Sequence, residues 1–315
     1  MDNILFSLGV VMPLFLMMAL GFAIRRIKLA DGNFFSTANN VCFKVLLPLM
    51  IFENLYTSDL ESVFDIKLIL FCVISVFVLA VVLMLVVPLF IKDNSRRGVM
   101  IQGMFRSNFL LFGVPLVRSL SGEEGVALVS MLIVVIIPLF NALAVISLAL
   151  FQTENGKRYS VWGVVRGILT NPLIISSAIA VATVLLGIKL PEFIEKAISS
   201  VAAIATPLSL IVLGGEFNVG SVKSCIFHTM IGVAGKLAVV PAIMLPIAVG
   251  FGFRGTALCA VLTLFASPVA VSSYVMAKTG GGDGDLAANL LIFSTLFSSV
   301  SIFFIVLIMR SLGYI

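Results

Sequence analysis

The chain has 315 residues, of which 61% are hydrophobic and only 11% carry a charge, and its mean hydropathy is +1.21. A soluble domain has roughly 45–50% apolar and about 25% charged residues, so a water-soluble fold of this length could not bury so much apolar surface. The net charge of +5 comes without a basic tract interleaved with aromatic residues, so we expect no nucleic-acid partner.

In chain order, the apolar segments predict ten membrane-spanning helices, because each span needs about 20 apolar residues. The first apolar run continues to Ile24, before Arg25 and Arg26, and is too long for the core of a signal peptide. The predicted spans are 3–25, 36–56, 66–91, 97–120, 125–151, 161–187, 194–216, 222–251, 254–279 and 285–312. The expected fold is therefore an all-α membrane protein in contact with the lipid bilayer and without a separate soluble domain.

The loops that follow the odd-numbered spans are rich in basic residues. They contain Arg25, Arg26, Lys28, Lys92, Arg96, Arg97, Lys157, Arg158, Arg166, Lys223 and Lys278. The loop between spans 2 and 3, on the opposite side, is acidic with Asp59, Glu61 and Asp65. The positive-inside rule places the basic loops in the cytoplasm. We therefore expect a multi-pass protein of the cell (inner or plasma) membrane with both termini outside.

Three cations fall near the middle of predicted spans, namely Lys44, Arg106 and Lys236, and no acidic residue does. A charge at the centre of a bilayer costs several kcal/mol, so it is expected to face protein or a water-filled cavity. Each cation could instead bond backbone carbonyls or reach an interface. Three central cations without a central carboxylate favour an interior built for anions.

The two halves of the chain resemble each other in order. The matching positions are Met12-Pro13-Leu14 with Asn171-Pro172-Leu173, Ile27-Lys28-Leu29 with Ile188-Lys189-Leu190, Pro48 with Pro207, Pro88 with Pro241, and Pro115 with Pro268. The unit is five spans, an odd number, so the second copy must be inverted, as in many secondary transporters. This predicts a first repeat at 1–155 and a second at 156–315 within one integrated membrane domain.

Spans 4 and 9 carry prolines beside small and polar residues, in the stretches Arg106–Pro115 and Ala266–Tyr274. Proline removes a backbone donor, and irregular backbone at this depth is tolerated only against protein or a watery cavity. We expect each span to break into two half-helices with Pro115 and Pro268 near the first helical position, and the two breaks to cross near the midplane. The alternative is two kinked helices.

Two helix N-termini with amide and hydroxyl donors would form a carboxylate-sized pocket. The predicted substrate-binding residues are Asn108, Ser107, Pro115, Gly113, Ser267, Pro268, Ser272, Lys236 and Arg106.

These stretches resemble the auxin efflux carrier family, which includes plant PIN-FORMED carriers and bacterial carboxylate permeases. Residues 107–116 (SNFLLFGVPL) are similar to the family's P-N-T-L-V-M-G-I-P-L, and residues 236–244, 252–255 and 274–278 resemble further family stretches. The resemblance implies crossed, broken helices 4 and 9, a scaffold that forms a homodimer, and elevator-like alternating access. It also implies that Asn108 and the two prolines line the site. Val269 stands where the family has a glutamine after proline, and the long loop of the plant carriers is absent, which makes auxin itself a poor candidate.

The function predicted is a secondary transporter of small mono- or dicarboxylates such as malate, malonate or lactate. Alternatives are a sodium-coupled organic anion symporter of the bile-acid type, an anion channel and a non-transporting sensor. Coupling to sodium or protons is open, and no cofactor or metal is expected. An enzyme is not expected, since His228 is the only histidine and no nucleophile has a histidine partner.

Overall fold

The computed structural model describes residues 2–57, 65–151, 153–154, 157–158, 165–167, 169–217 and 219–315. The helices are α1 (Asp2–Arg26), α2 (Gly32–Val41), α3 (Leu47–Tyr56), α4 (Ile66–Phe90), α5 (Asn94–Phe105), α6 (Val114–Phe151), α7 (Pro172–Leu185), α8 (Glu192–Glu216), α9 (Val219–Ala234), α10 (Val240–Gly250), α11 (Gly255–Ala266), α12 (Val271–Thr279) and α13 (Gly284–Ser311). Strands β1 (Thr153–Glu154) and β2 (Lys157–Arg158) form a short antiparallel ladder. Asp59, Glu61, the predicted repeat boundary at 155–156 and the start of span 161–187 lie outside the described residues.

Within the described residues, six helices are long and apolar enough to cross a membrane. They are Gly32–Tyr56, Ile66–Phe90, Phe109–Phe151, Glu192–Glu216, Cys225–Gly250 and Gly284–Ser311. The helices Pro172–Leu185 and Gly255–Ala266 are apolar but shorter. The predicted all-helical membrane protein is confirmed at this level.

Polar residues at the segment ends determine where several helices begin. At these positions the side chain accepts a hydrogen bond from a backbone N–H of the first turn, and the capping residues are Asp31, Asp65, Asp93, Asn171 and Asp283. Such caps satisfy amides that have no partner within the helix. The polar residues between the apolar runs therefore start the helices as well as connect them.

The helices pack in two groups. In the first group, α1 packs along α8, and α3 packs along α7 and α8. Glycines permit the closest contacts between α1 and α8. A Cβ added to Gly214 would lie 1.9 Å from the Met18 carbonyl oxygen, and a Cβ added to Gly21 would lie 1.9 Å from the Ile211 carbonyl oxygen. Small residues at a membrane helix interface let the backbones approach in this way. In the second group, α4, α5 and α6 pack together, α9 packs along α13, and α10 packs along α11.

Three π-helical turns interrupt the helices, at Cys42–Leu46 between α2 and α3, Phe109–Gly113 before α6, and Gly235–Val239 between α9 and α10. The first turn carries Lys44 and the third carries Lys236, and the two lysines face opposite environments. Lys236 is buried, whereas Lys44 is exposed on the outer face of its helix beside Val41 and Val45. The expectation that all three central cations face the interior is therefore wrong for Lys44.

Candidate functional site

Two helix interruptions meet inside the second group of helices. The chain leaves α5 after Phe105 and becomes helical again at Phe109, and it leaves α11 after Ala266 and resumes at Val271. The two non-helical stretches pair with each other through an antiparallel bridge between Ser107 and Val269. The Asn108 N–H donates to the Pro268 carbonyl at 2.7 Å, and the Ala270 N–H donates to the Arg106 carbonyl at 3.4 Å. We call residues 106–108 and 267–270 together the crossing.

The prolines do not start the second half-helices. Pro115 lies inside the helix that resumes at Phe109, and Pro268 lies in the extended stretch before Val271. The predicted placement near the first helical position is therefore wrong for Pro268, whereas Pro115 is the second residue of α6 and follows the π-helical turn at which helical structure resumes. The physical reason is that the backbone pairing of the crossing extends to residues 268–270, so the helix resumes only beyond it.

Side chains from several helices satisfy the backbone groups that the interruptions leave without helical partners. The Ser107 hydroxyl donates to the Leu264 carbonyl, and the Ser267 hydroxyl donates to the Thr263 carbonyl at 2.5 Å. The Val269 N–H donates to Ser294 Oγ of α13 at 3.1 Å. Since a buried unpaired backbone group costs about as much as a lost hydrogen bond, these contacts stabilise the crossing.

Arg106 is the first cation of the crossing, and only 4% of its surface is exposed. Its Nη2 donates to Asn141 Oδ1 of α6 at 2.6 Å, and its Nη1 contacts Met276 Sδ. Within the described residues, no carboxylate oxygen lies within 4.0 Å of this guanidinium. The positive charge is thus held by neutral groups and remains available to an anion.

Lys236 is the second cation, and it is fully buried. Its Nζ donates to Ser107 Oγ at 2.5 Å, and the Ser107 hydroxyl in turn donates to Leu264. In the part of the chain that the structure describes, no acidic residue forms an ion pair with Lys236. The Lys236 amine therefore lies behind the crossing and is connected to the Leu264 carbonyl through the Ser107 hydroxyl.

A cavity of about 60 Å³ opens beside the crossing. Its walls come from both groups of helices, because α3 and α8 close one side and the crossing closes the other. It is lined by Leu47, Met50, Ile51, Asn54, Arg106, Ser107, Asn108, Phe109, Leu110, Leu111, Ile137, Phe140, Thr206, Ala270, Val271 and Ser272. A water molecule needs about 10–15 Å³ of such space, so the cavity has room for about four groups of that size.

The predicted site residues divide between this cavity and its surroundings. Arg106, Ser107, Asn108 and Ser272 line the cavity. The other five lie around it, with Lys236, Ser267 and Pro268 buried in or behind the crossing, Gly113 buried in the π-helical turn, and Pro115 half-buried in α6.

Four polar residues of the site were missed by the sequence reasoning. Asn54 and Thr206 line the cavity, Asn141 holds Arg106, and Ser294 binds the Val269 N–H. A signal was available for Asn141, since it is an amide in the otherwise apolar span 125–151. The others could not be distinguished from ordinary polar residues of a span.

The donors around the cavity suit a carboxylate. Asn108 is 5% exposed, and its side-chain Nδ2 has no hydrogen-bond partner among the described residues. The Phe112 N–H donates to the Asn108 carbonyl, and the Ser273 N–H donates to the Ala270 carbonyl. The amides that precede these two in each first turn have no acceptor one turn earlier in a helix, and they carry the positive end of the helix dipole. With Arg106 these groups offer charge-assisted hydrogen bonds to an anion.

The chain matches the model of a known protein family. A family model described as a membrane transport protein matches residues 6–306, nearly the whole chain. This match confirms the resemblance to the auxin efflux carrier family noted from the sequence. No curated protein gives a significant match.

Proposed function

The chain belongs to the membrane transport protein family, and on that premise we propose that it is a secondary transporter of small organic anions. Its substrates are mono- or dicarboxylates of the size of lactate, malonate or malate. The observation that carries this proposal is the small cavity at the crossing, where Arg106, the Asn108 amide and two helix N-termini converge without a carboxylate partner for the arginine among the described residues.

The size of the cavity favours small carboxylates over larger anions. Space for about four water-sized groups suits the carboxylate group and first carbon of a small acid, and it is too small for a molecule of bile-acid size. The apolar part of the lining would contact the carbon skeleton, while the polar groups orient the carboxylate. This argues against the bile-acid type of symporter as a description of the substrate.

The transport mechanism that we propose is alternating access in which the second group of helices carries the crossing past the first. The cavity lies between the two groups, since α3 and α8 form the wall opposite the crossing. A relative displacement of the groups would therefore open the cavity to one side of the membrane or the other.

The inverted repeat remains part of the proposal, with ten spans arranged as five plus five and the repeats divided near 155 and 156. Two pairs of helix contacts support the repeat. The contact of α1 with α8 would correspond to the contact of α7 with α3. In the same way, the contact of α4 with α5 would correspond to the contact of α10 with α11. We also propose a location in the cell membrane with both termini outside, from the basic loops, and a homodimer.

The test is binding and transport of carboxylates by the purified full chain. In a thermal-shift screen of lactate, malonate and malate, with and without sodium, a compound that binds should raise the melting temperature of the protein, because a bound ligand stabilises the folded state by mass action. Asn108→Ala should weaken the binding of the active compound by about tenfold, the value of a hydrogen bond to a charged group. Asn94→Ala is the control, since Asn94 lies at the start of α5 and accepts a bond from Arg97. Equal binding by wild type and Asn108→Ala would refute the site, and flux in proteoliposomes that does not saturate would indicate a channel.

A further inference from the structure

A second basic cavity lies away from the crossing, at the end of the helix bundle where α1, α8 and α12 finish. It has a volume of about 690 Å³, and its wall includes Arg25, Arg26, Glu216 and Lys278. This end carries the basic loops, which the positive-inside rule assigns to the cytoplasm. The transport cavity shares no lining residue with it.

The charges in this cavity are unbalanced. Lys278 Nζ lies 3.4 Å from Glu216 Oε2, and the Tyr274 hydroxyl donates to the same oxygen. The Glu216 carboxylate is thus already engaged. Among the described residues, neither Arg25 nor Arg26 lies within 4.0 Å of a carboxylate. The cavity therefore holds three cations against one anion.

The position of the arginines suits a ligand that comes from the membrane surface. Arg25 and Arg26 form the last turn of α1, and both are exposed. The Arg25 guanidinium lies against Gly32, where an added Cβ would be 3.3 Å from Nη1, so the glycine leaves room for it. Phe22, one turn earlier on α1, also lines the cavity and supplies an apolar edge.

We propose that this cavity binds a phosphate-bearing anion, and that its source is the headgroup of an anionic phospholipid. Arg25 and Arg26 both line the cavity, and arginine binds phosphate oxygens in a bidentate manner. Basic pockets between membrane helices on the cytoplasmic side are typical binding sites for anionic headgroups. The cavity joins α1 and α8 of the first group to α12, which leads from the crossing. A bound headgroup would therefore bridge the first group and the half-helix that follows the crossing, and oppose their relative displacement.

The experiment measures the melting temperature of the purified full chain in detergent during titration with phosphatidylglycerol, phosphatidylcholine or inorganic phosphate at constant ionic strength. We expect stabilisation by phosphatidylglycerol and none by phosphatidylcholine. Stabilisation by inorganic phosphate at concentrations as low as those of phosphatidylglycerol would assign the site to a soluble phosphate and overturn the lipid as its source. No stabilisation by either anion would overturn the site.

Variants test the location of the site. One arginine near an anionic surface changes the binding constant by about fivefold, so Arg25→Gln with Arg26→Gln should weaken the binding of phosphatidylglycerol by about 25-fold. Lys28→Gln is the matched control, because it removes one charge from the same loop and Lys28 does not line the cavity. If the double variant does not fold, each single variant should still show about a fivefold loss in native mass spectrometry. A loss for Lys28→Gln as large as for the arginine variants would mean that the general charge of the loop, and not this cavity, binds the lipid.

Discussion

Replacing Arg106 by glutamine is the most direct test of the transport cavity. Two of its five N–H donors are used by Asn141 and Met276, so the other three and the positive charge can serve a substrate. A hydrogen bond to a charged group contributes roughly 1.5–3 kcal/mol. Arg106→Gln should therefore raise the dissociation constant for a carboxylate by roughly 10- to 150-fold. Stability should change little, because the cost of burying the cation disappears together with its bonds.

The assay is isothermal titration of the purified protein with lactate and with lactamide, its neutral amide. Wild type should prefer lactate, and this preference should largely disappear in Arg106→Gln. Arg254→Gln is the control, since Arg254 donates to the carbonyls of Val249 and Phe253 and does not line the cavity. If Arg106→Gln bound lactate within about twofold of wild type, a difference under about 0.5 kcal/mol, Arg106 would not balance the substrate charge.

Three further predictions concern the scaffold and the crossing. Gly214→Ala places a Cβ 1.9 Å from a carbonyl oxygen of α1 and should lower the melting temperature by about 5 °C, whereas Gly250→Ala, which meets nothing within 4 Å, should leave it unchanged. Ser294→Ala removes the acceptor of a buried N–H and should destabilise the protein by about 1–3 kcal/mol in chemical denaturation, while Ser311→Ala on the exposed end of the same helix should not. Lys236→Met should keep the fold and weaken lactate binding by about tenfold in the same titration, and unchanged affinity would show that this lysine has no part in charge balance.

The sequence alone was sufficient to predict that the protein is a helical membrane protein. A chain with 61% hydrophobic residues has to place them in lipid or in a core, and their grouping into runs separated by polar residues predicts spanning helices. The polar residues at the run ends, such as Asp65 and Asp283, cap the helices that follow them. The interruptions of spans 4 and 9 were also predictable, because proline, glycine and serine cluster there, whereas the π-helical turns at Cys42–Leu46 and Gly235–Val239 were not predicted.

The tertiary structure decided which of these local features act together. Lys44 and Lys236 look alike in the sequence, since each lies in the middle of an apolar run, yet one faces outward and the other is buried behind the crossing. The face that a helix presents depends on its neighbours and on the rotation added by a π-helical turn, which no pattern in the chain reveals.

What the sequence determined by itself is therefore the apolar spans, their caps and the two segments that leave the helix. Only the tertiary structure decided that helical structure resumes at Phe109 and Val271 rather than at the prolines, and that Asn141 holds Arg106. The physical reason is that local sequence sets whether a segment can be helical, whereas hydrogen bonds between residues such as Asn108 and Pro268, 160 positions apart, set where the helices stop.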